Sequence, residues 1–256
     1  IVRRSRAGQT MVLLAAASDR LPKLPLLIEA LQRAVPGFCA LHLTVNQSGS
    51  NVILGESSQK LWGEDFITET LLGLTFEISP LSFFQVNPAQ TERLYAKTIE
   101  FAQLNPGDTV VDAYAGAGAI SLCMAKRAKK VVGIEIVPQA VEAARRNAAR
   151  NGVTNAAFYT GAVEALLPRL VAEGLRPDVI VLDPPRKGVE PQVIDAVLRA
   201  RPRRVVYVSC HAPTQARDVK LLAAGGYRFA ACQPVDMFCY AGGVENTLCL
   251  TQDEKE

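Results

Sequence analysis

The sequence predicts an α/β protein: a doubly wound, mostly parallel sheet over residues 81–256, preceded by a smaller α+β region over residues 1–80. Three observations carry this. After residue 81, short continuous apolar runs alternate with helix-length segments, the pattern of a parallel sheet covered on both faces. Helix starts and stops are punctuated by Pro and Asn-Gly at the expected places. The first 80 residues lack that alternation and read as a mixture of separate strands and one short helix.

In chain order, Thr10 to Ala17 and Leu41 to Gln47 read as strands and Pro25 to Ala34 as a helix, while Leu74 to Ser79 alternates apolar and polar residues like a half-buried strand. Arg3, Arg4 and Arg6 read as a solvated edge. Asn87-Pro88 is a helix start, a capping side chain followed by a ring preset for the first turn; that helix runs to about Gln103 and ends at Asn105-Pro106-Gly107-Asp108. Five sheet strands follow: Thr109 to Ala113, Lys130 to Glu135, Ala156 to Thr160, Asp178 to Leu182 and Arg204 to Val208. An Ala-rich helix from Pro138 to Asn151 separates the second strand from the third. Tyr227 to Cys232 and Asn246 to Leu250, after a Gly-Gly turn, complete seven strands as an antiparallel pair at one edge.

Composition narrows the function classes. The 256 residues are 49% hydrophobic, with 28 Lys plus Arg against 25 Asp plus Glu, which excludes disorder, collagen-like repeats and coiled coil. The longest apolar stretch, Met11 to Ala17, is far short of the ~20 residues of a membrane span. No leader pattern opens the chain, so it reads as cytoplasmic, and its start at Ile1 reads as that of a fragment or a processed chain. Cys39, Cys123, Cys210, Cys232, Cys239 and Cys249 include no C-x-x-C pair, and His42 and His211 are the two histidines, so no metal or iron–sulfur site is expected. Five of the cysteines read as core thiols.

The motifs fall at strand ends. The first sheet strand leads into Asp112-Ala113-Tyr114-Ala115-Gly116-Ala117-Gly118, where Gly116 and Gly118 let a ligand approach the backbone. Glu135 closes the second strand about 20 residues beyond the glycines, in register to accept hydrogen bonds from ribose hydroxyls. Ser121 occupies the place of a third glycine, which disfavours a pyrophosphate cofactor and leaves S-adenosylmethionine. Asp183-Pro184-Pro185-Arg186-Lys187-Gly188 is a stiff acidic turn at the fourth strand tip, suited to chemistry. Cys210 ends the fifth strand and is a candidate nucleophile. Glu245, in a Gly-rich segment, reads either as a general base or as a plain surface carboxylate.

Together with Ser82-Phe83-Phe84-Gln85-Val86-Asn87, Ala216-Arg217-Asp218 and Asp236-Met237-Phe238, these motifs closely resemble the S-adenosylmethionine (SAM)-dependent RNA (uracil-5-)-methyltransferase family over nearly the whole chain. The resemblance implies a Rossmann-like class I methyltransferase domain behind an RNA-facing central domain incomplete at its start. It assigns Gln85, Tyr114, Glu135 and Asp183 to the SAM site, Cys210 to nucleophile and Glu245 to general base, with Asp183 also able to hold the base. The implied product is 5-methyluridine plus S-adenosylhomocysteine. The implied partner is an RNA loop with a flipped uridine, large-subunit ribosomal RNA ahead of transfer RNA, bound by a monomer.

The sequence departs from the family at Ala115, at Ala162 where an acid commonly reaches toward adenine, at His211-Ala212-Pro213 after the nucleophile, and at Cys239 to Gly243 before Val244-Glu245. Two other readings compete. One is a non-catalytic RNA-binding scaffold or folding helper, suggested by the altered loops. The other is an amino-methyltransferase, suggested by Asp183-Pro184-Pro185 but lacking an aromatic residue at Arg186 and having no use for Cys210.

Overall fold

A computed structural model describes residues 1–47, 53–55 and 57–252. The chain divides into two compact units, Ile1–Phe84 and Gln85–Glu256. In the first unit, β1 (Val2–Arg4), β2 (Thr10–Ala16), α1 (Leu24–Ala34), β3 (Phe38–Val45) and β4 (Gln59–Gly63) form a four-stranded sheet of order β1-β2-β3-β4. Strands β2 and β3 are parallel, with α1 as the crossover, and β1 and β4 pair antiparallel outside them. Arg3 and Arg4 therefore lie on an edge strand. The strands β5 (Ile67–Leu71) and β6 (Leu74–Ile78) form a separate hairpin. Leu72 and Gly73 both take positive φ there, the turn that matches strand twist.

Met11, Ala40, Ile67 and Ile78 form this unit's core, with Cys39 and Phe84 packed against it. The expected half-exposed alternation of Leu74 to Ser79 is corrected by the structure: in β6, Glu77 is buried along with Leu74, Phe76 and Ile78, so the polar face is itself covered.

In the second unit, α2 (Pro88–Ala102) starts as its sequence requires, with Asn87 Oδ1 accepting from the Gln90 amide at 3.2 Å. Its exit turn is closed twice, Asp108 N donating to Asn105 O and Asn105 N to Asp108 Oδ2. Then follow β7 (Thr109–Ala113), α3 (Ala119–Ala125), β8 (Lys130–Glu135), α4 (Pro138–Arg150), β9 (Ala156–Thr160), α5 (Val163–Ala172), β10 (Val179–Leu182), α6 (Pro191–Ala200), β11 (Arg204–Ser209), α7 (Ala212–Ala224), β12 (Tyr227–Val235) and β13 (Glu245–Gln252). The seven strands lie in the order β12-β13-β11-β10-β7-β8-β9. Strand β13 inserts between β11 and β12, antiparallel to both; the other neighbours are parallel.

The strand order explains where a ligand can bind. From β7 the chain winds outward through β8 and β9, then returns past β7 to β10 and β11. The loops leaving β7 and β10 turn to opposite sides, which opens a crevice at the carboxyl ends of the strands. One face of the sheet is packed by Val111, Ile180, Leu182, Val205 and Tyr207, all fully buried, with Leu167 of α5 and Val193 and Val197 of α6 in the same cluster. The core reading of the cysteines holds for Cys123 and Cys249, but Cys39 is half-buried, and Cys232 and Cys239 are exposed. Cys232 lies on the edge strand β12 and Cys239 in the loop after it, positions that periodicity alone does not distinguish from core.

Candidate active site at the carboxyl edge of the sheet

Register brings the candidate residues to one edge. Leu182 pairs with Ala113 on one side and Tyr207 on the other, and Ala113 pairs with Ile134. Tyr114, Glu135 and Asp183 therefore follow these residues at neighbouring strand tips. Ser209, the last residue of β11, pairs antiparallel with Asn246, so Cys210, just after β11, comes to the same end of the sheet as Glu245, the first residue of β13. A candidate nucleophile and a carboxylate 35 positions apart in sequence are brought to one edge by the pairing of β13 with β11.

The edge around Tyr114, Gly116 and Glu135 is built mainly from backbone. Tyr114, Gly116 and Gly118 all have positive φ, an unusual conformation for a tyrosine. Gly116 N donates to Glu135 Oε2 at 2.9 Å, and Val137 N to Glu135 Oε1 at 2.9 Å, so the loop itself fixes the Glu135 carboxylate. A Cβ on Gly118 would meet Ala144 and Phe158 at 3.0 and 3.1 Å, so α4 and β9 demand glycine there as well. The Tyr114 ring packs against the core cluster. Gln85 is buried, and among the described residues no hydrogen bond or ion pair ties it to the other candidates.

Asp112 is a functional candidate that the motif reading passed over, although an acid inside Val-Val-Asp-Ala was its sequence signal. It is fully buried; Oδ2 accepts from Ser121 Oγ, while Oδ1 has no hydrogen-bond partner among the described residues. Burial pushes its carboxyl up to about 7. Asp183, half-buried at the next strand tip, is pushed up to about 8 by burial, then by the negative charges of Glu245 and Asp112. Glu245 is raised by burial. Burial, then Glu245, raise the Cys210 thiol, and Arg186 pulls it down. The edge thus concentrates carboxyl groups held above their ordinary range, an environment that a cation would relieve.

The loops on the chemical side are clamped by side chains. Asp218 of α7 is fully buried, accepts from Tyr207 Oη at 2.7 Å and Val189 N at 3.0 Å, and forms an ion pair with Arg217. Arg217 in turn donates to the carbonyl of Lys187 at 3.0 Å. Thr214 Oγ1 donates to Arg186 O at 3.0 Å and lies 3.1 Å from His211 Nδ1. The Asp183-to-Gly188 turn is therefore fastened to the helix that begins just after Cys210. Gln215 closes the other side, donating to Tyr207 O at 2.9 Å and accepting from Asn246 Nδ2 at 2.6 Å. Ala162 ends at the start of α5 and offers no carboxylate.

The family model described as tRNA (Uracil-5-)-methyltransferase matches residues 41–253. The chain belongs to this family. A protein of Halalkalibacterium halodurans named as an uncharacterized RNA methyltransferase is 45% identical over 243 residues, 95% of this chain and 53% of the relative. A protein of Oceanobacillus iheyensis with the same description is 44% identical over 94% of this chain and 52% of the relative. The chain thus spans about half the length of these curated relatives. Among solved structures, the tRNA (uracil-54, C5)-methyltransferase of Pyrococcus abyssi, in complex with S-adenosyl-L-homocysteine, is similar with a TM-score of 0.80 and 31% identity, covering 98% of this chain and 58% of that one. The tRNA m1G37 methyltransferase of M. jannaschii, 16% identical with a TM-score of 0.64 and covering 100% of this chain and 75% of that one, shares the class I methyltransferase fold.

Proposed function

We propose that this family member transfers a methyl group from SAM to C5 of a uridine in structured RNA, in the cytoplasm, through a covalent adduct with Cys210. The single observation that carries the reading is that β11 and β13, paired through Ser209 and Asn246, bring Cys210 and Glu245 to the edge that also holds Asp183. The donor set fits SAM. Its sulfonium and ammonium are cations, and the edge offers Asp112 Oδ1, without a hydrogen-bond partner among the described residues, and the raised carboxyl of Asp183. Gly116, Gly118 and the backbone-fixed Glu135 suit its nucleoside, and Gln85 and Tyr114 are assigned to the same site by family position.

Uracil C5 is too weak a nucleophile to take a methyl group unaided. The Cys210 thiol releases its proton to solvent, and the resulting thiolate adds to C6 as the C5–C6 π pair moves to form the O4–C4–C5 enolate. When bound, SAM supplies the electrophilic methyl that C5 then accepts. Glu245 takes the C5 proton, and the electron pair of that C–H bond expels Cys210 from C6 and restores the ring double bond. The raised affinity of Glu245 for protons suits it to this step. Asp183, ionised once the cofactor's cation is bound, can hold the base by accepting a hydrogen bond from uracil N3–H. The uridine must leave its stack to reach the edge, which favours a single-stranded loop.

Incubation with labelled SAM and unmodified large-subunit ribosomal or transfer RNA is expected to give 5-methyluridine, with ribosomal RNA ahead. Glu245→Gln is expected to slow turnover by roughly 10²- to 10⁴-fold and to leave the protein–RNA adduct standing on a denaturing gel. No product from either RNA with the full-length protein overturns the reading.

A further inference from the structure

The loop between β12 and β13 carries one of the departures from the family pattern, Cys239 to Gly243, just before Glu245. Val235 pairs with Glu245, so the residues between them leave and rejoin the sheet at the edge that carries Cys210. Its base is fastened. Met237 is only 1% exposed, its carbonyl accepts from Asn87 Nδ2 at 3.3 Å, and its sulfur accepts from Thr91 Oγ1 at 3.8 Å. Glu245, at the other end, is 5% exposed. Between these anchors the chain makes a turn, with Ala241 N donating to Phe238 O at 2.8 Å, and the tip leaves the protein surface. Tyr240 is 101% exposed, Val244 47% and Phe238 37%.

A fully exposed tyrosine is unremarkable alone. Here two aromatic side chains, two residues apart, crown a turn whose buried end is the proposed general base, and Gly242 and Gly243 have open space around them. Arg186, also exposed, sits close enough to Cys210 to bear on its charge. Exposed aromatic rings on a loop that ends at Glu245, and an exposed cation beside Cys210, match the chemistry of a single-stranded nucleic acid, whose bases stack and whose phosphates are anionic.

Resting on the uridine-methylation reading, we propose that Tyr240 is an RNA-contact residue that stacks on an unpaired base adjoining the target uridine, supported by Phe238, and so helps select the loop that is methylated. Extrusion of the uridine exposes the π-face of its neighbour, and Tyr240 replaces the lost stack. The contact is to the substrate and takes no part in the bond changes at C5 and C6.

The test uses the full-length protein with unmodified transfer and large-subunit ribosomal RNA transcripts, wild type against Tyr240→Ala and Tyr240→Phe. Stacking on one base predicts a KM and an RNA Kd raised roughly 5- to 100-fold in Tyr240→Ala, with kcat and SAM affinity within about twofold. Tyr240→Phe, which keeps the ring, is expected to restore both values. A Tyr240→Ala protein that methylates with unchanged KM overturns the proposal while leaving the methyltransferase reading intact. Equal loss in Tyr240→Phe and Tyr240→Ala also overturns it, since stacking does not need the hydroxyl. Absence of 5-methyluridine with wild type is the separate failure of the underlying reading; RNA binding unchanged by Tyr240→Ala would then reject the contact as well.

Discussion

The two halves of the sheet edge are built differently. Around β7, β8 and β9 the edge is formed from backbone: left-handed residues, a carboxylate held by two amides, and Gly118, where a Cβ would press on Ala144 and Phe158. Around β10, β11 and β13 it is formed from side chains on loops tied together by Asp218, Thr214 and Gln215. The backbone half suits a ligand whose shape is constant. The side-chain half suits a substrate that differs between family members, because a loop such as Cys239 to Gly243 can change without disturbing a strand.

The largest effect is expected at the nucleophile. Cys210→Ala should lower methyl transfer by roughly 10⁴-fold or more and abolish the covalent adduct with 5-fluorouridine RNA, with SAM affinity unchanged. Adduct formation by that variant would move the nucleophile elsewhere and dissolve the division between the halves. Next is the clamp. Asp218→Asn should destabilise the second unit by about 2–3 kcal/mol, read by urea denaturation, because two neutral donors and a cation lose a buried carboxylate. The cost is held down because Arg217 is half exposed and can be solvated again. An unchanged midpoint would show that the clamp does not hold the loops.

Gly118→Ala tests the backbone half. The left-handed φ and the contacts to Ala144 and Phe158 predict a loss of about 1–2 kcal/mol, accompanied by weaker SAM binding. Full stability in this variant would mean that α4 and β9 yield easily. The smallest effect concerns protons. With Asp183 at about 8 and Asp112 at about 7, a cationic ligand favours the ionised forms, so its binding releases protons. SAM affinity should therefore rise roughly tenfold between pH 6 and pH 8 and level off above, by calorimetry in buffers of different ionisation enthalpy. A flat profile would remove the carboxyls from the cofactor's charge balance. The same raised values work against folding: both groups hold extra protons when folded, so their contribution falls as pH rises from about 4 toward 8.

Much of the second unit was legible in the sequence, because parallel strands are short apolar runs and helix ends carry Asn-Pro, Pro and Asn-Gly. Thr109 to Ala113, Lys130 to Glu135 and Ala156 to Thr160 coincide with β7, β8 and β9. The first unit was less legible: β1, β4 and β5 gave no signal of their own, and the covered Glu77 breaks the alternation by which half-buried strands are read. The strand-end motifs marked Gly116, Gly118, Glu135, Asp183 and Cys210 because each ends a run that the sequence itself delimits.

By itself, then, the sequence determined the element order, the chemical groups and their positions at strand ends, since these depend on local periodicity and residue type. Tertiary structure decided which ends meet. Glu245 reads as a surface carboxylate until β13 inserts between β11 and β12 and brings it to the same end of the sheet as Cys210. Asp112 becomes a buried, half-partnered acid only when β8 and β10 close on either side of β7. Asp218 becomes a clamp only when α7 meets the turn after β10. Strand pairing is set by contacts between residues far apart in the chain, and no local pattern encodes the proton affinity of a group whose neighbours arrive from elsewhere.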